Sequence, residues 1–159
     1  TEFDTTVAEA NYASYYKPVM SFDHYNNKGK LLQFKNVNGP STYYVWGYND
    51  QYPIAKLENF SAIDATGIQS IITEAVNASN KDASPALENA LRTALANLRD
   101  AAPNAMVTTY TYDPLIGVTS ITDPKGYTMY YQYDGFNRLK QVIDADGNIA
   151  GKNEYNYKQ

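Results

Sequence analysis

Few residues in this sequence are suited to acid–base or nucleophilic chemistry. His24 is the only histidine, and it stands beside Asp23, a pairing that can serve as a general base. Adjacent side chains in a strand point to opposite faces, so these two are not expected to meet. The chain has no cysteine and no serine in a nucleophile-elbow context. This inventory favours a surface histidine and predicts that the chain is not an enzyme.

A second candidate for chemistry is the acidic segment 144–148, which reads Asp-Ala-Asp-Gly-Asn and resembles half of a calcium-binding loop. It lacks the third acidic ligand and the distal glutamate that an EF-hand needs. An Asp-Gly step is also a strong signal for a β-hairpin turn. We favour the turn and predict no metal and no other cofactor, with a weak adventitious ion site left open.

Rows of aromatic side chains could form a flat surface for sugar rings. Side chains in a strand alternate with period two, which places Tyr44, Trp46 and Tyr48 on one face of a strand predicted over residues 42–48. Tyr131 belongs to a similar row near the C-terminus. The alternative is packing against the helices or a second sheet, which we favour because aromatic burial usually dominates cores and interfaces. The candidate aromatic binding surface consists of Tyr44, Trp46, Tyr48 and Tyr131.

Composition limits the classes of function that remain. Of the 159 residues, 43% are apolar, which is enough for one hydrophobic core. The net charge of −4 comes without a concentrated basic stretch, which argues against nucleic acid because phosphate contacts dominate that affinity. No apolar run approaches the roughly 20 residues of a membrane span. The 16 tyrosines favour strands with half-hydrated surfaces.

The elements that must position these residues repeat along the chain. A tyrosine–aspartate pair at 112–113 returns at 133–134, and an Asp-x-x-Gly turn at 123–126 returns at 144–147. A fixed period marks a chain built from one supersecondary unit used repeatedly. Each such unit buries its apolar face on its neighbours. The pattern predicts a series of β-hairpins.

Residues 61–103 interrupt this pattern, because they contain no aromatic residue and eleven alanines. Thr66 with Gln69 fits a capping box that begins a first helix. Ser84 followed by Pro85 fits the start of a second helix, and a proline at 103 ends it. We predict two antiparallel helices, inserted where a repeat would have continued as strand.

The chain is therefore divided into four parts. They are a partly ordered lead-in over 1–20, β-hairpin repeats over 21–60, the helical insertion over 61–103 and further repeats over 104–159. The predicted fold class is α+β, with an antiparallel β-hairpin sheet interrupted by an inserted pair of antiparallel helices. We expect 21–60 and 104–159 to form one compact unit. Whether the strands on either side of the helices share one sheet is left open.

These repeats resemble the YD-repeat, or Rhs-repeat, family. Segment 133–147 follows the family's order of tyrosine–aspartate, arginine–leucine, valine and aspartate–glycine almost throughout. Segments 106–120 and 45–55 resemble the C-terminal end of large Rhs-like proteins from the Bacteroidetes group. The residues that define the repeat are Tyr112, Asp113, Asp123, Gly126, Tyr133, Asp134, Arg138, Leu139, Asp144 and Gly147.

The resemblance implies a long spiralling sheet of hairpins, which in toxin relatives closes into a shell around a cargo polypeptide. It also raises self-cleavage, because Asp123-Pro124-Lys125-Gly126 is similar to a motif of the self-cleaving Rhs core. The motif continues with leucine where this chain has tyrosine, and one repeat later the proline is replaced by Ala145. An aspartate protease also needs two carboxylates that share a proton. A repeat turn is the favoured interpretation of this segment.

The functional expectation is a non-catalytic structural and interaction module, the last segment of a larger secreted or cell-surface protein. Its expected partners are the remainder of the parent chain and a second copy that pairs through exposed strand edges. A carbohydrate-binding module that uses the aromatic rows is the first alternative. A self-cleaving aspartate protease centred on Asp123 is the second.

Overall fold

Within the described residues nine strands lie side by side in chain order, and each is antiparallel to its neighbours. The computed structural model describes residues 19–155, so the lead-in expected over 1–20 falls almost wholly outside the described residues. The strands are β1 (Met20–Tyr25), β2 (Leu31–Asn36), β3 (Ser41–Gly47), β4 (Tyr52–Glu58), β5 (Met106–Asp113), β6 (Gly117–Thr122), β7 (Thr128–Tyr133), β8 (Leu139–Asp144) and β9 (Ile149–Lys152). The helices are α1 (Ala62–Gly67), α2 (Gln69–Ser79) and α3 (Pro85–Ala101).

The helices interrupt the chain between β4 and β5 without interrupting the sheet. Ala55 pairs with Thr109, and Glu58 pairs with Met106, so β4 and β5 are hydrogen-bonded neighbours. The strands before and after the helices therefore belong to one sheet, a question that the sequence left open. The predicted α+β fold with an antiparallel hairpin sheet is confirmed.

The first helix begins five residues earlier than the sequence pattern predicted. Ser61 is the N-cap, its hydroxyl accepts the N–H of Asp64, and the Asp64 carboxylate accepts the N–H of Ser61 at 2.8 Å. The predicted capping box at Thr66 and Gln69 is wrong. The Thr66 hydroxyl donates instead to the carbonyl of Ala62 at 3.1 Å, which is the usual bond of a threonine inside a helix.

The predicted pair of antiparallel helices corresponds to α2 and α3, and α1 is an additional short helix. Ser84 caps α3 and Pro85 is its first residue, as the sequence predicted. One side of this pair is apolar and lies against the middle of the sheet, where Val45, Leu57 and Val107 are buried. A fully buried aliphatic side chain stabilises a fold by about 1.5–3 kcal/mol. The core therefore lies between the helices and β3–β5, and its helical members are Ala65, Ile72, Ala75, Leu91, Leu95 and Leu98.

The remaining strands, β6–β9, form the half of the sheet away from this core. Among their described residues only Ser120 is fully buried, and most of the others are half-exposed. This half gains less from apolar burial than the half under the helices. Its cohesion must come largely from hydrogen bonds within and between hairpins.

Candidate functional site: turn carboxylates and lateral latches

The aspartates of the repeat close the turns between strands. Oδ1 of Asp123 accepts the N–H groups of Lys125 and Tyr127, both at 2.9 Å. The N–H of Asp123 donates to the carbonyl of Tyr127, and that of Gly126 donates to the carbonyl of Asp123. Gly126 has a φ of +90°, a left-handed conformation that glycine adopts without steric penalty. The Asp-x-x-Gly pattern is thus a requirement of turn geometry.

The same arrangement closes three further turns. In each, the first residue accepts two N–H groups through its side-chain oxygen, and the fourth residue has a positive φ. Asn137 takes the place of glycine in one turn, which asparagine tolerates. The first residues of these three turns are Asn26, Asp134 and Asp144. The turn at Asn26 was not identified as part of the repeat, although its Asn-x-x-Gly spacing carried the signal.

The tyrosine of each repeat joins neighbouring hairpins. The hydroxyl of Tyr133, on β7, donates to the carbonyl of Val118 on β6 at 2.8 Å. The hydroxyl of Tyr112, on β5, donates to the carbonyl of Pro53 on β4 at 2.9 Å. The backbone pairing of β6 with β7 spans only 120–122 and 128–130, so the bond of Tyr133 lies beyond its end. We call such bonds, from an aromatic side chain to a backbone carbonyl on an earlier strand, lateral latches.

Two more lateral latches lie at the same end of the sheet. The hydroxyl of Tyr155 donates to the carbonyl of Leu139 on β8 at 3.0 Å. The indole N–H of Trp46, on β3, donates to the carbonyl of Leu31 on β2 at 2.8 Å. Together the four latches bridge β2 to β3, β4 to β5, β6 to β7 and β8 to the segment after β9. Tryptophan therefore takes the tyrosine's role in the first repeat.

A β-bulge lies on the strand next to three of these aromatic residues. The strand register shifts immediately before Trp46, before Tyr112 and before Tyr133. In each case the extra residue belongs to the following strand, so the alternation of the strand that carries the aromatic residue is unbroken. A bulge bends the strand that contains it, so the following strand is bent beside each of these latch residues.

The position of Tyr48 corrects the predicted aromatic surface. Trp46 is half-buried, and the ammonium of Lys30 lies 5.1 Å from the centre of its ring. Tyr44 is half-exposed and stacks on Phe34, and it occupies the same alternate position of β3 as Trp46. Tyr48 is only 4% exposed and lies beyond the end of β3 with a φ of +50°, and Tyr131 is half-exposed on β7. The predicted row therefore keeps Tyr44 and Trp46 and loses Tyr48.

Tyr48 instead links the helical insertion to the sheet. Its hydroxyl donates to Oδ2 of Asp82 at 2.7 Å and accepts the N–H of Tyr112 at 2.9 Å. Its own N–H donates to the hydroxyl of Ser79 at the end of α2. Burial raises the pKa of the Tyr48 phenol well above its ordinary value, so the hydroxyl stays protonated and able to donate. No local sequence pattern indicated this role of Tyr48.

Arg138, the arginine of the repeat, is paired within its own turn. Its guanidinium lies 2.6 Å from Oδ2 of Asp134 and 4.2 Å from the centre of the Tyr155 ring. The hydrogen bond from Arg138 lowers the pKa of the Asp134 carboxyl below its ordinary value. The next residue, Leu139, supplies the carbonyl of a lateral latch. The Asp–Arg–Leu part of the repeat thus stabilises the turn and the latch together.

The two aspartates weighed for catalysis are held in structural contacts, and His24 is exposed on β1. Oδ2 of Asp23 accepts a hydrogen bond from the side chain of Gln33 at 3.2 Å. The Asp123 carboxylate closes its turn, as described above. Within residues 19–155 no group of three or more acidic, histidine or cysteine side chains is placed to hold a metal ion. Over the same range no helix is long and apolar enough to cross a membrane.

Replacement of Tyr133 by phenylalanine tests the lateral latch. The variant keeps the ring and removes the hydroxyl that satisfies the carbonyl of Val118. We expect the free energy of unfolding to fall by about 0.5–1.5 kcal/mol, the usual net value of one such bond. The measurement is equilibrium unfolding in urea. Tyr131→Phe is the matched control, since its hydroxyl makes no hydrogen bond within the described residues, and an equal loss in both variants would contradict the latch.

The turn aspartates predict a loss of stability in acid. The side-chain hydrogen bond from Asn148 lowers the pKa of the Asp144 carboxyl below its ordinary value of 3.8. Because the folded pKa is depressed, the stabilisation is present above about pH 4 and is lost as the pH falls through the folded pKa. We expect Asp144→Asn to show a smaller decrease in stability than the unchanged chain between pH 6 and pH 2.5, measured by urea unfolding at each pH.

Asp146→Asn is the control for this measurement, because the Asp146 carboxylate accepts no hydrogen bond within the described residues. Asn26 already closes an equivalent turn without a charge, so asparagine at 144 preserves the turn. If the Asp144 and Asp146 variants responded to pH in the same way, the carboxylate of Asp144 would not be the responsible group.

Comparison with known families agrees with this geometry. The family model described as RHS Repeat matches residues 117–149, the region that contains β6, β7, β8 and the turns at 123 and 134. No curated protein matches the chain. The matched region holds one complete copy of the elements described above. These are turn aspartates at opposite ends of the strands, Asp123 and Asp134, and the latch residue Tyr133.

Proposed function

We propose that this chain is a non-catalytic structural and interaction module of a larger secreted or cell-surface protein, because residues 117–149 match the RHS Repeat family model. The observation that supports it most directly is the use of the repeat's polar side chains. The carboxylates of Asp123, Asp134 and Asp144 close turns, and the hydroxyls of Tyr112 and Tyr133 join hairpins. Side chains committed to such contacts hold a sheet together and leave little to act on a substrate.

The ends of the sheet favour association through strand edges. Within the described residues β1 pairs with β2 alone and β9 pairs with β8 alone, and all side chains of both strands are exposed. An edge strand presents unpaired N–H and carbonyl groups that another strand can bind. The partners we propose are the other repeats of the parent protein and, for this chain in isolation, a second copy.

Symmetry favours a particular dimer. The sheet has nine alternating strands, so β1 and β9 run in the same direction. Stacking copies by translation would place β9 parallel to the next β1, which breaks the antiparallel pattern. A two-fold axis beside β9 instead pairs β9 with its own copy in an antiparallel arrangement, and two-fold contacts are the commonest in homo-oligomers.

A charge on the outer strand tests this dimer. Ile149, at the start of β9, is 58% exposed, and Ile149→Lys places two like charges near the axis. We expect the unchanged chain to dimerise with increasing concentration and the variant to dimerise about tenfold more weakly, a difference of about 1.4 kcal/mol. Light scattering after size-exclusion chromatography measures both.

Ile63→Lys, on the exposed surface of α1, is the matched control and is expected to dimerise like the unchanged chain. If the unchanged chain stayed monomeric at every concentration, association through strand edges would be refuted. An equal effect of both lysines would place the contact elsewhere than β9.

A further inference from the structure

The lateral latches form a continuous series across the sheet. Each latch residue on a strand is paired with a residue on the following strand, and the backbone carbonyl of that residue accepts the next latch. Tyr112 is paired with Val118, whose carbonyl accepts the hydroxyl of Tyr133. Tyr133 is paired with Leu139, whose carbonyl accepts the hydroxyl of Tyr155. Each hairpin therefore receives one latch and offers the acceptor for the next.

Followed towards the N-terminus, the series leads to Tyr25 at the end of β1. Trp46 is paired with Pro53, whose carbonyl accepts the hydroxyl of Tyr112. Tyr25 is paired with Leu31, whose carbonyl accepts the indole N–H of Trp46. Tyr25 therefore occupies the position of a latch residue, one hairpin before Trp46.

Two further features of Tyr25 match those of the latch residues. The strand register shifts immediately before Tyr25, and the extra residue belongs to the following strand, as at Tyr133. The next residue, Asn26, closes a turn through its side-chain oxygen, as Asp134 does after Tyr133. The Tyr25 side chain is nevertheless 55% exposed, and its hydroxyl makes no hydrogen bond within residues 19–155. Tyr25 thus has the local features of a latch residue without an acceptor in the described part of the chain.

The strand that carries Tyr25 also exposes hydrophobic side chains at the edge of the sheet. Three of its six residues are large and hydrophobic, with exposures of 41–55%. An edge strand of this kind is a site where a further strand pairs. The three residues are Met20, Phe22 and Tyr25.

From these observations we propose that residues 9–14, which lie outside the described residues, pair as a strand with the free edge of β1 and that a carbonyl at its start accepts the Tyr25 hydroxyl. Each described strand from β2 onward pairs with the strand that precedes it in the chain, so the chain before β1 is the expected source of its neighbour. The inference rests on the structural role proposed for the repeats. With β1 covered, β9 would be the free edge that remains, and association would stop at the two-fold dimer.

The spacing of the other latches identifies the segment. In the three latches that do not span the helical insertion, the acceptor precedes the latch residue by 15, 15 and 16 residues. The same spacing from Tyr25 leads to Ala10 or Glu9. A strand over 9–14 leaves residues 15–18 for the connection to β1, a usual length for a hairpin loop.

Replacement of Tyr25 by phenylalanine tests the latch. The variant keeps the ring and removes the hydroxyl, which changes nothing if the hydroxyl has no acceptor. Loss of one hydrogen bond is instead expected to raise the rate of amide exchange in β1 about two- to tenfold, measured by NMR on the full chain. Tyr127→Phe is the matched control, since Tyr127 is 70% exposed and its hydroxyl makes no hydrogen bond within residues 19–155. Equal exchange in β1 of both variants would overturn the proposal.

Two adjacent prolines locate the acceptor. Neighbouring N–H groups of a strand point to opposite edges, so replacing both Asn11 and Tyr12 by proline removes one that faces β1 in either register. We expect faster exchange in β1 that no longer responds to Tyr25→Phe, while exchange in β3–β5 stays unchanged and shows that the core is folded. The double replacement of Thr5 and Thr6 by proline is the matched control. If Tyr25→Phe kept its effect beside the prolines at 11 and 12, the acceptor would lie elsewhere and the segment would be refuted.

Protein concentration distinguishes this strand from one supplied by a second copy. A strand of the same chain protects β1 equally in dilute and concentrated samples, whereas protection from a second copy increases with concentration by mass action. An increase would therefore overturn the assignment to residues 9–14. The β9 dimer is tested separately by Ile149→Lys, so failure of the Tyr25 latch would leave the proposed role of the repeats standing.

Discussion

Replacement of Gly47 by alanine is expected to lower the free energy of unfolding by about 3 kcal/mol, a large effect for one methyl group. An added Cβ would lie 2.7 Å from Cγ2 of Ile54 and would overlap the hydroxyl of Ser79. Neither neighbour can move freely. Ile54 is fully buried, and the Ser79 hydroxyl donates to the carbonyl of Val76 while accepting the N–H of Tyr48.

Gly67→Ala is the control, because an added Cβ at this position, the last residue of α1, meets nothing within 4 Å. Alanine has the higher helix propensity, so this variant is expected to be unchanged or stabilised by up to about 1 kcal/mol. Urea unfolding monitored by circular dichroism measures both. Similar stabilities of the two variants would contradict the close approach of α2 to the end of β3.

The turns could be predicted from the sequence because their cause is local. Each turn is made within five residues, by Asp123 with Gly126 and by Asp144 with Gly147, through a side-chain oxygen and a left-handed φ. Patterns of this kind are visible wherever the residues occur. The period of 21 residues (133 − 112) follows from these turns, because two strands and two turns return the chain to the same end of the sheet.

The lateral latches could not be predicted, because they depend on where strands diverge. The acceptor of Tyr112 is 59 residues away, at Pro53, on a strand separated from it by the helices. Strict alternation also placed Tyr48 beside Tyr44 and Trp46, but β3 ends at Gly47 and Tyr48 has a φ of +50°. The end of a strand has a weak local signal, so an interpretation with period two can extend a row of side chains beyond the strand that carries it.

The helix start was mispredicted for a different reason. Both Ser61-x-x-Asp64 and Thr66-x-x-Gln69 fit a cap, and local sequence alone does not choose between them. The carbonyl of Ser41 on β3 accepts the N–H of Phe60, and the buried ring of Phe60 packs edge-on against Tyr43. These contacts fix the chain at the sheet just before Ser61, so the helix starts there. Tertiary packing thus decided between two equally plausible local signals.

The sheet consequently has two differently stabilised halves. Under the helices, β3–β5 gain from buried aliphatic side chains. Beyond them, β6–β9 rely on turns and latches, each worth about 1 kcal/mol. A repeat that makes its own turn and latch hydrogen bonds can be added to a sheet without a second layer. This property suits a module that extends hairpin by hairpin. The helical insertion provides the core that such a sheet lacks.

Replacement of Leu57 by alanine is therefore expected to have the largest effect of any single truncation, a loss of about 3–5 kcal/mol. Leu57 is fully buried on β4, between Tyr43 on β3 and Val107 on β5. The neighbours of Leu57 on the sheet are fixed by strand pairing, so they cannot collapse into the space that the side chain leaves. A cavity would remain beneath the helices, in the core that the described residues form.

Leu115→Ala is the matched control, since Leu115 is 91% exposed at the tip of the turn between β5 and β6 and its truncation is expected to change stability by less than about 0.5 kcal/mol. Hydrogen exchange adds a test of the two halves. Leu57→Ala should lower amide protection most in β3–β5 if this core supplies most of the stability there. A uniform loss along all nine strands would show instead that the sheet unfolds as one cooperative unit, with the latches coupling its far half to the core.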